Sequence, residues 1–157
     1  MKTQLGITEK NRAAISEILN TWLADEYTLA TKTKYFHWNV TGANFLALHE
    51  FFGQQYRQLD TFIDEIAERI RIVGHFAAGS MSDFLKMTHL TEKRADEMNA
   101  NTMLEELLQD HQIVIRWLRT QESAIAEKYK DHGTADFITS MMKEHEKMAW
   151  MIRAHLG

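Results

Sequence analysis

The chain contains no cysteine and no proline among its 157 residues, and it has only 7 glycines. Without cysteine, a disulfide framework and a thiolate zinc site are both excluded. Without proline, and with so few glycines, little in the sequence interrupts a helix. These absences predict long helices, and the lack of cysteine fits a cytoplasmic protein.

Long hydrophobic runs are also lacking. Residues Met1 to Lys10 do not have the apolar core of a signal peptide, and no stretch reaches the length of a membrane-spanning helix. The formal net charge of −4 argues against general nucleic-acid binding. Apolar residues at 45% and charged residues at 25% are ordinary values for a globular protein, so we expect one domain over residues 1–157.

Four segments carry the apolar spacing of long helices. We predict them at residues 8–38, 44–73, 101–131 and 134–155, with Thr8 and Thr134 as N-caps and Gly74 ending the second. The stretch 75–99 is irregular apart from a short helix near 82–87, capped by Ser80 or Ser82. Short, long and short connections predict an all-α, ferritin-like four-helix bundle, with the short extra helix in the crossover.

The second long segment carries a strip of potential metal ligands. Projected at about 100° per residue, His49, Asp60, Asp64 and Glu68 fall along one edge of its apolar face. No histidine follows a Glu by three residues, so a di-iron site of Glu-x-x-His pairs inside one bundle is not expected. On spacing alone, a solvated acidic face interspersed with Arg57, Arg69 and Arg71 is the commoner explanation of such a strip.

One chain cannot bring both ends of this strip to one metal ion. His49 and Asp64 are 15 residues apart, which is about 22 Å along a helix. His37 and His49 flank the turn at 39–42, so they should lie close together. Two chains packed antiparallel about a two-fold axis would place these imidazoles beside the Asp64 and Glu68 carboxylates of a second copy, and mixed imidazole and carboxylate ligands suit Fe(II).

The same residues resemble the signature of the Dps family, the mini-ferritins named as DNA-binding proteins from starved cells. The resemblance rests on the runs HWNVTGANFLALHE (37–50) and DEIAERIR (64–71), and on GTADF (133–137) and HEKMAWMIR (145–153). It covers nearly the whole chain.

The resemblance implies a hollow dodecamer that stores iron and acts as a ferroxidase. Such an enzyme oxidises Fe(II) with hydrogen peroxide or oxygen at two-fold interfaces between subunits and keeps the ferric mineral inside the shell. It implies iron as the metal, with His37, His49, Asp64 and Glu68 as its ligands and catalytic residues. Trp38 would intercept oxidising equivalents beside the site, or would simply pack at a helix end. Asp136 and Asp131 would line a pore for iron entry, although Asp136 could instead be a first-turn acid favoured by the helix dipole.

One position departs from the pattern of that family. Its members commonly carry Asp or Glu four residues after the second histidine, where this chain has Gly53. We therefore expect one firm iron site and a weak second one, with Glu50 and Asp60 as nearby carboxylates. His111 and His145 are expected to be hydrogen-bonded core or interface histidines.

DNA binding is expected to be weak or absent. The segment Met1 to Ile7 contains one lysine, Lys2, whereas affinity for DNA increases with the number of basic contacts to phosphate. The alternative function is a DNA-protecting architectural protein with weak or vestigial ferroxidase activity.

Overall fold

The computed structural model describes residues 3–157, and the regular elements in that range are all helical. The four long helices are α1 (Glu9–Asn39), α2 (Phe45–Ile72), α4 (Ala100–Glu127) and α5 (His132–Leu156). The short helix α3 (Met81–Met87) and a 3₁₀ turn (Ala95–Glu97) lie in the connection between α2 and α4. The predicted all-α fold with a short helix in the crossover is confirmed.

The bundle consists of two helical hairpins. Helix α1 packs along α2, and α4 packs along α5, because the connections within each pair are short. The core between them holds fully buried large side chains, among them Trp22, Phe36, Phe52, Leu59, Ile66 and Leu104. None of the described helices is long and apolar enough to span a membrane.

Several helix ends follow the local sequence signals. The hydroxyl oxygen of Thr8 accepts a hydrogen bond from the Asn11 backbone N–H at 3.3 Å, and Ser80 caps α3 in the same way through Asp83. Gly74 has a φ of +96°, a value that a residue with a side chain rarely adopts. It follows the last turn of α2 and ends that helix as predicted.

The junction between α4 and α5 corrects the sequence prediction. Helix α4 ends at Glu127 rather than at 131, and α5 begins at His132 with Asp131, not Thr134, as its N-cap. The Asp131 carboxylate accepts a 3.0 Å hydrogen bond from the Thr134 backbone N–H. It also lies 3.3 Å from the Arg69 guanidinium, so an ion pair to α2 favours Asp131 over Thr134 as the cap.

The buried carboxylate of Asp25 in α1 binds the connection between α2 and α4. This group accepts hydrogen bonds from the Thr88 hydroxyl at 2.8 Å and from the His89 backbone N–H at 2.6 Å. Burial raises the pKa of Asp25, and these hydrogen bonds oppose that rise. The rings of Tyr27 in α1 and Phe84 in α3 also stack, with their centroids 4.5 Å apart. Helix α3 therefore packs on α1. The Asp60, Asp64 and Glu68 side chains of α2 remain exposed.

Candidate metal centre

His37 and His49 lie against each other where α1 turns into α2. His37 is in the last turn of α1, and His49 is near the start of α2. Their rings stack with centroids 3.7 Å apart and an angle of 23° between the ring planes. The turn at 41–44 brings them together, as the sequence predicts, and it contains Gly42 at a φ of +109°.

Reciprocal hydrogen bonds fix the orientation of both rings. The Nδ1 atom of His37 lies 2.6 Å from the backbone carbonyl oxygen of His49, and Nδ1 of His49 lies 2.8 Å from that of His37. A carbonyl oxygen can only accept, so each Nδ1 carries the proton. In the neutral rings the lone pair is then on Nε2. Backbone acceptors behind a histidine in this way prepare it to bind a metal through its other nitrogen.

Gly53 lies directly beside this pair. A Cβ atom at that position would be 3.2 Å from Cε1 of His37 and 3.4 Å from Nη1 of Arg57. At position 53 the chain therefore places no carboxylate beside His37, and the Arg57 guanidinium lies close to the same position. The Arg57 guanidinium has no carboxylate within 4.0 Å among residues 3–157, and it donates a hydrogen bond to the Tyr56 hydroxyl at 3.4 Å.

Asp64 and Glu68 lie one helical turn apart, farther along α2. Both side chains are exposed, and neither has a hydrogen bond or an ion pair to the part of the chain that the structure describes. Free carboxylates at this spacing can bind the same cation. The other carboxylates considered from sequence differ: Asp60 pairs with Lys34 at 3.6 Å, and Glu50 is exposed at the start of α2.

The imidazole pair and the two carboxylates do not meet within one chain. Over residues 3–157 no three histidine, aspartate or glutamate side chains are grouped closely enough to hold a metal ion. A single chain thus presents the His37–His49 pair and the carboxylates of Asp64 and Glu68 as two separate groups.

Comparison with known proteins places this architecture in a family. Residues 16–157 match the family model of the ferritin-like domain. The chain is 37% identical to the DNA protection during starvation protein 2 of Bacillus anthracis, over 91% of this chain and 97% of that protein. The chain belongs to the Dps family of ferritin-like proteins.

The chain is also similar to two further proteins. An uncharacterised low temperature-induced protein of Nostoc is 41% identical, over 99% of this chain and 87% of that protein. The crystal structure of a Dps protein from Vibrio cholerae, described as a member of the ferritin-like diiron-carboxylate superfamily, superposes with a TM-score of 0.92 at 28% identity. That alignment covers all of this chain and 98% of the other.

The remaining residues predicted from the Dps resemblance occupy different environments. Trp38 is 66% exposed, so packing within its own chain does not account for it. Asp136 is exposed on the first turns of α5. Asp131 is buried, and its contacts with Thr134 and Arg69 occupy its carboxylate. Of the two residues predicted to line a pore, Asp136 therefore has the more accessible carboxylate.

Sequence reasoning missed a buried polar chain inside the bundle. Nε1 of Trp22 donates to Glu26 at 2.7 Å, and the same carboxylate oxygen lies 2.8 Å from Nε2 of His145. The Nδ1 atoms of His145 and His111 are 2.9 Å apart, which confirms the prediction that these two histidines are hydrogen-bonded in the core. Burial, together with the neighbouring His145, lowers the pKa of His111 well below its usual range.

Proposed function

We propose that this Dps-family chain oxidises Fe(II) at sites shared between two copies and stores the product as ferric mineral in a hollow dodecamer. The observation that carries the proposal is the His37–His49 pair, in which both Nδ1 atoms are held by backbone carbonyl oxygens and both Nε2 atoms are left as ligands. The unpaired Asp64 and Glu68 carboxylates support it, because they supply the oxygen ligands that an imidazole pair lacks for Fe(II).

A two-fold axis accounts for why the two halves of the ligand set lie apart on one helix. In an isologous contact each surface patch meets its own copy, so His37 and His49 of each chain face Asp64 and Glu68 of the partner subunit. Two equivalent iron sites result from each contact. The Vibrio cholerae protein's description as a ferritin-like diiron-carboxylate protein agrees with iron as the metal.

The reaction follows from this ligand set. Fe(II) is the substrate, bound by imidazole nitrogens and carboxylate oxygens, with open positions that hydrogen peroxide or oxygen can reach. Two Fe(II) ions supply the two electrons that reduce one peroxide to two molecules of water, with two protons taken up. Because peroxide accepts both electrons, hydroxyl radical is not released. Trp38, exposed beside His37, would intercept stray oxidising equivalents, and Asp136 would draw iron into the shell.

The environment of Gly53 predicts the stoichiometry of iron binding. Gly53 supplies no carboxylate beside His37, so a second iron lacks the oxygen ligand that an acidic side chain at this position would provide. An anaerobic Fe(II) titration of the assembled protein should therefore find one tight iron per chain and a second that binds weakly.

Gly53→Asp is the matched variant for that titration. Its Cβ would lie 3.2 Å from His37 Cε1, so the ring must yield slightly to admit it. The added carboxylate should tighten the second iron about tenfold or more. Two equally tight irons per chain in the unchanged protein would refute the predicted asymmetry, and no tight iron at all would refute the function.

The names of some relatives, such as the Bacillus anthracis protein, refer to DNA protection. Lys2, the one lysine of the segment Met1 to Ile7, lies outside the described residues together with Met1. We propose that DNA binding is weak or absent, because the formal net charge of −4 disfavours association with phosphate.

A further inference from the structure

Along one face of α2 lie two triplets of residues that have the same spacing but differ in charge. Within the first, His49, Gly53 and Arg57 lie four residues apart, and within the second, Asp60, Asp64 and Glu68 do the same. Side chains four apart lie on one face of a helix. We call these six residues the α2 strip. Its first half carries imidazole and guanidinium groups, and its second half carries only carboxylates.

The strip is self-complementary when the helix is paired antiparallel with its own copy. A register that sets His49 opposite Glu68 of the partner subunit also sets Gly53 opposite Asp64 of the partner subunit. In the same register Arg57 lies opposite Asp60 of the partner subunit, and the two-fold axis passes between Gln58 and Leu59. The spacing of the two triplets thus matches along its whole length.

The unsatisfied charges on one chain agree with this register. Over residues 3–157 Arg57 has no carboxylate partner, and neither Asp64 nor Glu68 has a cationic partner. Asp60 forms an ion pair with Lys34 at 3.6 Å, and both side chains are half-exposed. An ion pair so accessible to solvent contributes little to stability. Asp60 can therefore accept a second cation without losing a strong interaction.

Apolar side chains at the two ends of α2 support the same register independently. Phe45 is 44% exposed and Leu46 is 65% exposed at one end, while Ile72 is 54% exposed at the other. The register that pairs the charges also brings Phe45 opposite Ile72 of the partner subunit. Large apolar side chains that are exposed on one chain would be covered at both ends of the contact.

We propose that reciprocal ion pairs between Arg57 and Asp60 of the partner subunit, one on each side of the two-fold axis, set the register of the α2–α2 contact. They form at the centre of the contact and align the imidazole pair of one chain with the carboxylates of the other. The inference deepens the proposed function and rests on it. It also explains the cation beside Gly53: Arg57 serves the interface between copies.

Charge reversal on the full chain tests the proposal. Arg57→Glu and Asp60→Arg each place like charges opposite one another twice in the symmetric contact, and each should weaken two-fold association at low salt by about tenfold or more. The double variant Arg57→Glu/Asp60→Arg restores opposite charges and should recover association to within about threefold of the original. Association is measured by sedimentation over a dilution series, with circular dichroism to verify folding. Glu65→Arg, an exposed charge on α2 outside the strip, is the control and should leave association unchanged.

The outcomes separate the inference from the function. If Fe(II) oxidation is rapid in the original chain but the double variant associates no better than the singles, the ion pair is refuted and the iron site stands. If the double variant recovers association but the original chain neither binds nor oxidises Fe(II), the interface stands and the proposed function fails. Single variants that associate normally would refute the ion pair outright.

Discussion

Replacing Asp64 with Asn and Glu68 with Gln should abolish rapid peroxide-dependent oxidation of Fe(II), with a rate loss of about 100-fold or more. The exchanges keep the side-chain shapes but remove both charges, so Fe(II) would retain only the imidazole nitrogens as protein ligands. Both carboxylates are exposed and have no partner in residues 3–157, so the fold should be unaffected. Stopped-flow absorbance after mixing anaerobic Fe(II)-loaded protein with peroxide measures the rate.

Glu65→Gln supplies the matched control for this experiment. Glu65 is also an exposed carboxylate on α2, next to Asp64 in sequence but about 100° away around the helix. Its loss should leave the rate unchanged, because it lies outside the α2 strip. Rapid oxidation by the Asp64/Glu68 variant, at the rate of the control, would show that these carboxylates do not bind the substrate.

The second large effect concerns stability, at the buried ion pair between Lys32 and Asp110. Nζ of Lys32 lies 2.5 Å from Oδ2 of Asp110, and both side chains are almost completely buried. Burial raises the pKa of Asp110, and the charge of Lys32 opposes that rise. Lys32→Met would leave the Asp110 carboxylate without its partner, and should lower the free energy of unfolding by about 3–5 kcal/mol.

Replacing both partners should be far less damaging than replacing one. In Lys32→Met/Asp110→Leu no buried charge is left, so most of the lost stability should return. Denaturant unfolding of the three proteins, at one fixed chain concentration because assembly contributes to stability, gives the comparison. The single variant should also be less destabilised toward acid pH, because an aspartate with a raised pKa becomes neutral there. A double variant no more stable than Lys32→Met would contradict this account.

Most of the fold could be predicted because the signals for it are local. The absence of proline, the apolar spacing and the caps at Thr8 and Ser80 are all read within a few residues of one another. The α4–α5 junction was harder, since Asp131 and Thr134 are both good capping residues three positions apart. The choice between them involves Arg69, which lies 62 residues earlier in the chain.

The candidate site was predictable to the level of residues but not of contacts. Spacing placed His37 near His49, whereas the reciprocal hydrogen bonds depend on ring orientations that no spacing specifies. Glu26, Lys32 and Asp110 gave no signal at all, because each looks like an ordinary helical charge until a partner on another helix is known. For Lys32 that partner is 78 residues away.

Each iron site should take its histidines from one chain and its carboxylates from another. Mixing two inactive proteins tests this arrangement directly. One protein carries His37→Ala and His49→Ala, and the other carries Asp64→Asn and Glu68→Gln. The two proteins are dissociated, mixed and reassembled. Random pairing makes about half of the two-fold contacts mixed, and each mixed contact contains one complete site out of two. The mixture should therefore regain about a quarter of the original number of tight iron sites and about a quarter of the peroxide-dependent rate. If the mixture stays as inactive as its components although mixed assemblies form, the sites are not shared between chains.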